Sequence, residues 1–213
     1  MSKSAEMHRN GLPYCHPACR PLAASKAARY VADAFLGEEN ERTIVDAGCG
    51  EGRNAIYLVE RGFRVIALDA SARNLDILRR NPVLASAVPE MFESHVVDLV
   101  DEPLPIQERA VDVVLDVWFV GSVVLSHDGR RAAQRYLSEV HRVLKDGGLF
   151  IAEFETLRPR RTPEKLLTYF RNLMKGNFAV VESTAITADY VRYLDMGRKR
   201  KIPPALFAVA RKN

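Results

Sequence analysis

A chain of 213 residues, 47% of them hydrophobic, can bury a sizeable core and fits one large domain better than two small ones. Its net charge of +4 gives only a mild pull on anionic partners, and three cysteines, an odd number, do not make a disulfide framework. The stretch "MSKSAEMHRNGLPYCHPACR" lacks the apolar core of a signal peptide, and no apolar run reaches the roughly 20 residues needed to span a bilayer, so a cytoplasmic protein without a membrane partner is expected.

The first forty residues divide into a turn-rich stretch, "HRNGLPYCHPACRP", and a helix with an apolar stripe, "LAASKAARYVADAFLG" (22–37). Together, 1–40 read as a cap segment packing over the open end of a sheet formed by a single domain, 41–213. In that domain "TIVDAG" (43–48) is a short β-branched run ended by glycine and predicts a buried strand. "RNAIYLVERG" predicts a helix ended at Gly62, "FRVIALD" (63–69) a second strand, and "SARNLDILRRN" a helix with Ser71 as N-cap and Pro82 as its stop.

The alternation continues. "SHVVDL" (94–99) predicts a third strand, and "AVDVVLDVWF" (110–119) a fourth, apolar enough to be buried on both faces. "RRAAQRYLSEVHRVLKDGG" (130–148) is a helix ending in two glycines, before a fifth strand "LFIAEFE" (149–155). A helix "PEKLLTYFRNLM" (163–174) then precedes two closing strands, "NFAVVESTAIT" (177–187) and "PALFAVARKN" (204–213). Strands alternating with helices imply right-handed crossovers and a mostly parallel sheet: an α/β, Rossmann-like fold with seven strands, helices on both faces and an antiparallel C-terminal pair.

In such sheets ligands bind outside the carboxyl ends of the strands, and the first strand-to-helix turn is the usual cradle. Here that turn is "VDAGCGEGRNA" (45–55), with Gly48, Gly50 and Gly52 at alternate positions, Cys49 inside the loop and Asp46 just before it. The glycines allow backbone approach, and a helix start near Arg53 supplies free N–H groups and partial positive charge. A dinucleotide fingerprint would need a third glycine where Arg53 stands, which weakens a nicotinamide reading.

An acidic residue followed by G-x-G-x-G resembles the loop of the class I S-adenosylmethionine-dependent methyltransferases, and the likeness runs over roughly residues 40 to 155. "VIALDAS" resembles that family's second strand, "VVDL" its third, "VDVVLDVW" its fourth, and "EVHRVLKDGGLFIAEF" its helix, glycine turn and fifth strand. "GEGRNAIYL" is further similar to small-molecule methyltransferases of the tellurite-resistance and thiopurine kind. The resemblance implies S-adenosylmethionine as cofactor and S-adenosylhomocysteine as product. It places Asp69 and the adjoining Ala70 at the ribose hydroxyls, and Val97, Asp98 and Leu99 at the adenine, with Asp101 as an alternative to Asp98. Asp69 stands 21 positions after Gly48, close to the spacing at which an acidic residue meets a ribose in such units.

Other residues keep two readings. Asp46 either lies near the methionyl amino group as a ligand or caps the turn, and Arg53 either pairs with the methionyl carboxylate or is a solvated first-turn residue. Just past the fourth strand, Asp116 would contact cofactor and orient or deprotonate the acceptor, while Trp118 and Phe119, with Tyr14 from the cap, would wall the acceptor pocket; the alternative makes Trp118 and Phe119 core. His127 is a loop base or a solvated histidine, and His95 and His141 are structural.

"YCHPACR" offers Cys15, His16 and Cys19 as soft ligands but no second ligand pair, so no metal site is expected. Only an approach of Cys15 or Cys19 to Cys49 would bring in a thiophilic acceptor such as arsenite. The basic clusters "RPRR" (158–161) and "GRKRK" (197–201) raise phosphate affinity without specificity, and the fourth strand lacks the Asn/Asp-Pro-Pro-aromatic string of base-amino modifiers. The expectation is therefore a methyltransferase, monomeric or homodimeric, moving a methyl group to O, N or S of a small molecule. An RNA or DNA methyltransferase, a nicotinamide dehydrogenase and a non-catalytic cofactor-binding module stand as alternatives.

Overall fold

The computed structural model describes residues 24–124, 129–155, 162–186 and 205–213. Five strands, β1 (Thr43–Ala47), β2 (Arg64–Asp69), β3 (Phe92–Val96), β4 (Val111–Val117) and β5 (Leu144–Glu155), run parallel. β6 (Phe178–Ile186) and β7 (Ala205–Lys212) complete a seven-stranded sheet in the order β3-β2-β1-β4-β5-β7-β6. β7 is antiparallel to both neighbours, so it alone opposes the other six. The chain order reverses between β1 and β4, and the carboxyl ends of β1, β2, β4 and β5 therefore meet along one edge.

The central strands are apolar on both faces because both are covered. β4 turns Val114 toward α5 (Gly129–Val143) and α6 (Pro163–Met174), where Tyr136, Leu137, Val140, Leu166 and Phe170 are buried. It turns Val113 and Leu115 toward α1 (Lys26–Ala34), α2 (Arg53–Val59) and α3 (Ala72–Arg79). There Val31, Leu58, Leu75 and Leu78 are fully buried, each contributing about 2 kcal/mol of transfer free energy.

Local chemistry sets the helix starts. Ser71 accepts from the Asn74 amide at 3.2 Å and caps α3, Ser25 accepts from the Ala28 amide at 3.0 Å and caps α1, and Thr162 caps α6. Pro82 does not simply stop the preceding helix: α3 ends at Arg79, and Asn81 caps a new helical turn, α4 (Pro82–Ser86), in which proline occupies the first position without losing a needed N–H.

Of the segment before β1, α1 packs against a face of the sheet beside α2 through the buried stripe of Ala27, Ala28, Val31 and Ala32, and its start is tied to Glu153 and Asn54 at the carboxyl edge. β3 ends at Val96, two residues short of Asp98, which places Asp98 in the following loop. β5 begins at Leu144 rather than after the glycines: Leu144 pairs with Val111 and Leu149 with Val113, so Lys145 to Gly148 bulge outward, with Gly147 at φ 73°.

Candidate functional site

The loop after β1 is tied to β2 before the helix begins. Gly48 and Cys49 both donate their amides to the Leu68 carbonyl, at 2.8 and 3.0 Å, and Gly52 donates to the Cys49 carbonyl at 3.0 Å. The three glycines then separate by what surrounds them. A Cβ on Gly52 would lie 1.8 Å from Leu78 Cδ1, and one on Gly48 would lie 2.9 Å from Phe119 Cδ2, so these two are dictated by protein packing. A Cβ on Gly50, at φ 57°, would meet nothing within 4 Å. Only Gly50 leaves open space against which a ligand can lie.

Carboxylates flank that space. Asp69, 4% exposed at the end of β2, accepts the Gly50 amide at 2.9 Å on Oδ2 and the Ser71 amide at 2.8 Å on Oδ1, with Asn74 Nδ2 at 3.4 Å. The carboxylate is thereby fixed in orientation, with a lone pair remaining on Oδ2. Ala70 lies between these two fixed points. The Val97 amide bonds the Asp69 carbonyl at 3.0 Å, which brings Val97, Asp98 and Leu99 alongside Asp69; Asp98 itself turns one oxygen back to the Val100 amide at 3.1 Å.

Asp46 is 1% exposed, and its Oδ2 has no hydrogen-bond partner. Burial pushes its carboxyl up to about 7, against the opposing pull of Arg53 and of the Ala55 amide in the first turn of α2. An unpartnered buried carboxylate oxygen is costly, and a cationic ligand group would relieve it. Cys49 is buried and its thiol is pushed up by burial and by the charges of Asp69 and Asp46, so it is unsuited to nucleophilic work. Among the described residues no grouping of His, Cys, Asp or Glu is arranged to hold a metal ion.

At the end of β4 the chain turns sharply. Trp118 adopts φ 65°, a conformation rare for a bulky residue, and a π-helical turn, Phe119–Val124, follows. Asp116 organises this turn: Oδ1 accepts the Phe119 and Val120 amides at 3.2 and 3.1 Å, and Oδ2 is 3.2 Å from the Val120 amide. It is fully buried, and burial pushes it up to about 7 despite these amides. Both its oxygens thus face the backbone of its own turn rather than an open pocket, which suits holding the turn better than abstracting a proton. Phe119 is 9% exposed and packs over Gly48 and edge-on against Tyr136 at 5.1 Å, so it belongs to the core, whereas Trp118 is half-buried beneath Arg53, whose guanidinium carbon is 5.3 Å from the ring centroid.

Sequence reasoning passed over two further residues at this edge. Glu153, near the end of β5 and 4% exposed, accepts the Ala27 amide at 2.9 Å, and Asn54 accepts the Ser25 amide at 3.0 Å. The signal for Glu153 was available: an acidic residue at an inward position of the apolar run "LFIAEFE" needs a buried partner. Tyr14, Cys15, His16, Cys19, His127 and both basic clusters lie outside the described residues.

The methyltransferase domain family model matches residues 45–152, half of the chain. Among curated relatives, a malonyl-[acyl-carrier protein] O-methyltransferase of Pseudescherichia vulneris is 31% identical over 131 residues, 62% of this chain and 45% of its own. An uncharacterised methyltransferase of Synechocystis is 34% identical over 107 residues, 50% of this chain and 44% of its own. The matches thus span about half the length of these relatives. Among solved structures, 1,6-didemethyltoxoflavin-N1-methyltransferase of Burkholderia thailandensis, with S-adenosylhomocysteine bound, shares the fold at TM-score 0.62 and 22% identity, covering 98% of this chain and 84% of its own. A TehB-like methyltransferase of Corynebacterium glutamicum does so at TM-score 0.58 and 20% identity, covering 88% and 87%. No helix among the described residues is long and apolar enough to cross a membrane. S-adenosylmethionine is the cofactor of this class, and the open face of Gly50 between Asp46 and Asp69 fits it; the chain belongs to the methyltransferase domain family.

Proposed function

We propose that the protein transfers a methyl group from S-adenosylmethionine to a nucleophilic O, N or S atom of a small molecule, free or attached to a carrier. The observation that carries this reading is the open Gly50 face, bounded by the fixed Asp69 carboxylate and the unpartnered Asp46 Oδ2. When bound, the cofactor supplies a methyl group already activated on a sulfonium.

The chain's residues then have separable tasks. Asp69 accepts the two ribose hydroxyls, with Ala70 beside it, in a charge-assisted contact, while Val97, Asp98 and Leu99 line the adenine. Asp46 meets the ammonium group and Arg53 the carboxylate of the amino-acid end, over the backbone of Gly48, Cys49, Gly50 and Gly52. Asp116 is a positioning residue that fixes the turn carrying Trp118 and Phe119, Trp118 bounding the acceptor side. Methyl transfer is an in-line displacement, so alignment and exclusion of water supply most of the acceleration. Where the acceptor rests in its protonated form, His127 is the candidate base, and Tyr14 a candidate wall of the pocket.

The named acceptors of similar proteins, a malonyl-acyl carrier and a didemethyltoxoflavin, support a small or carrier-linked acceptor over a polymer. The test is incubation of the protein with methyl-labelled S-adenosylmethionine and a size-fractionated cell extract. Label in small molecules or on a carrier-bound acyl group is expected; label confined to nucleic acid, or no transfer into any fraction, contradicts the reading.

A further inference from the structure

Glu153 lies on the same sheet face as Asp46 and Asp69. It pairs with Val117, two residues beyond the Leu115 that pairs with Asp46, and Asp69 lies two beyond the Ala67 that pairs with Asp46. Alternation along each strand therefore turns all three carboxylates to the sheet face that α1, α2 and α3 cover.

One residue there meets three different elements. Glu153 Oε1 accepts the Ala27 amide at 2.9 Å, in the first turn of α1. Its backbone carbonyl accepts the Trp118 amide at 2.9 Å, stabilising the residue held at φ 65°. Burial pushes its carboxyl up, and the charge of Arg53, which lies over the Trp118 ring, pulls it back down. A second tie, from the Ser25 amide to Asn54 Oδ1 at 3.0 Å, fastens α1 to the residue next to Arg53.

A glutamine would accept the same Ala27 amide without the desolvation that a buried carboxylate suffers. Retaining an ionisable carboxyl where a neutral amide satisfies the hydrogen bond points to a second task for its charge. We propose that Glu153 is a positioning residue of the cofactor site: its side chain fixes the start of α1, and its negative charge sets Arg53 over Trp118 and favours the cationic cofactor. The chain entering α1 at Ala24 and Ser25 and the glycine loop are thereby held as one unit. This rests on Arg53 meeting the amino-acid end of the cofactor, as proposed above.

The test is calorimetric binding of S-adenosylmethionine and S-adenosylhomocysteine to the full chain and to Glu153→Gln and Glu153→Ala, with amide exchange followed at Ala27. Glu153→Gln is expected to keep Ala27 protected yet weaken S-adenosylmethionine about tenfold, and the neutral thioether product by a smaller factor, because a lost buried anion acts at range on the sulfonium. Glu153→Ala is expected to show the same selective loss and exchange at Ala27 at least about tenfold faster. Equal affinities for wild type and Glu153→Gln, or losses equal for the two ligands, would overturn the inference while leaving the cofactor reading intact. If the wild type binds neither ligand, the cofactor reading falls and the inference with it.

Discussion

The two ends of β4 carry the same residue type in opposite circumstances. At the amino end, Asp112 accepts from the Thr43 amide at 3.0 Å, from Arg42 at 3.1 Å and from Lys145 at 2.9 Å, and these partners hold its carboxyl below the ordinary range despite burial. Arg42 is itself paired with Glu38, so this end closes its own electrostatic account. At the carboxyl end, Asp116 and Asp46 are buried more completely and are pushed up to about 7. The first end is self-sufficient; the second leaves Asp46 Oδ2 without a partner, as a surface built to receive a cationic ligand would.

The contrast can be broken most violently in the glycine loop. Gly52→Ala is expected to cost about 3 kcal/mol or more of stability, read by chemical denaturation, since its Cβ overlaps Leu78 and φ is 85°. Gly50→Ala should cost only about 1 kcal/mol for the left-handed backbone, yet remove cofactor binding, because its methyl would occupy the open face. A Gly50→Ala protein that binds normally would detach the loop from the site.

Next come the two ends themselves. Asp112→Ala should destabilise the fold by about 2 kcal/mol through its stranded partners while leaving S-adenosylhomocysteine affinity unchanged. Asp69→Ala should instead weaken binding by about 1 to 3 kcal/mol in protein verified as folded. The smallest effect is on pH dependence. Asp46 and Asp116 have folded values raised above the ordinary 3.8, so their contribution to stability is full below that value and is lost as pH rises through about 7. Thermal unfolding should therefore show Asp116→Asn narrowing its deficit against wild type, or overtaking it, as pH rises from about 5 to 8.

How much was legible in the sequence follows the same division. The succession of strands and helices, the mostly parallel sheet and the helix over 163–174 follow from periodicity and turn residues. The glycine loop was legible as a cradle, but not that Leu78 and Phe119 dictate two of its glycines, because those contacts come from residues remote in sequence. For the same reason Asp116 read as an acceptor-facing group, when its nearest donors are the amides of a turn whose π geometry no local pattern signals. Glu153 and Asn54 went unnoticed because their partners, the Ala27 and Ser25 amides, are remote from them in sequence.

The most direct test of the central claim, that the carboxyl edge receives an adenosyl amino acid, is calorimetric titration of the wild type and Asp69→Ala with S-adenosylhomocysteine, with NADH in parallel. Binding of S-adenosylhomocysteine alone, weakened in Asp69→Ala, is the result the account predicts. Binding of NADH in its place, or S-adenosylhomocysteine binding undiminished in Asp69→Ala, would contradict it.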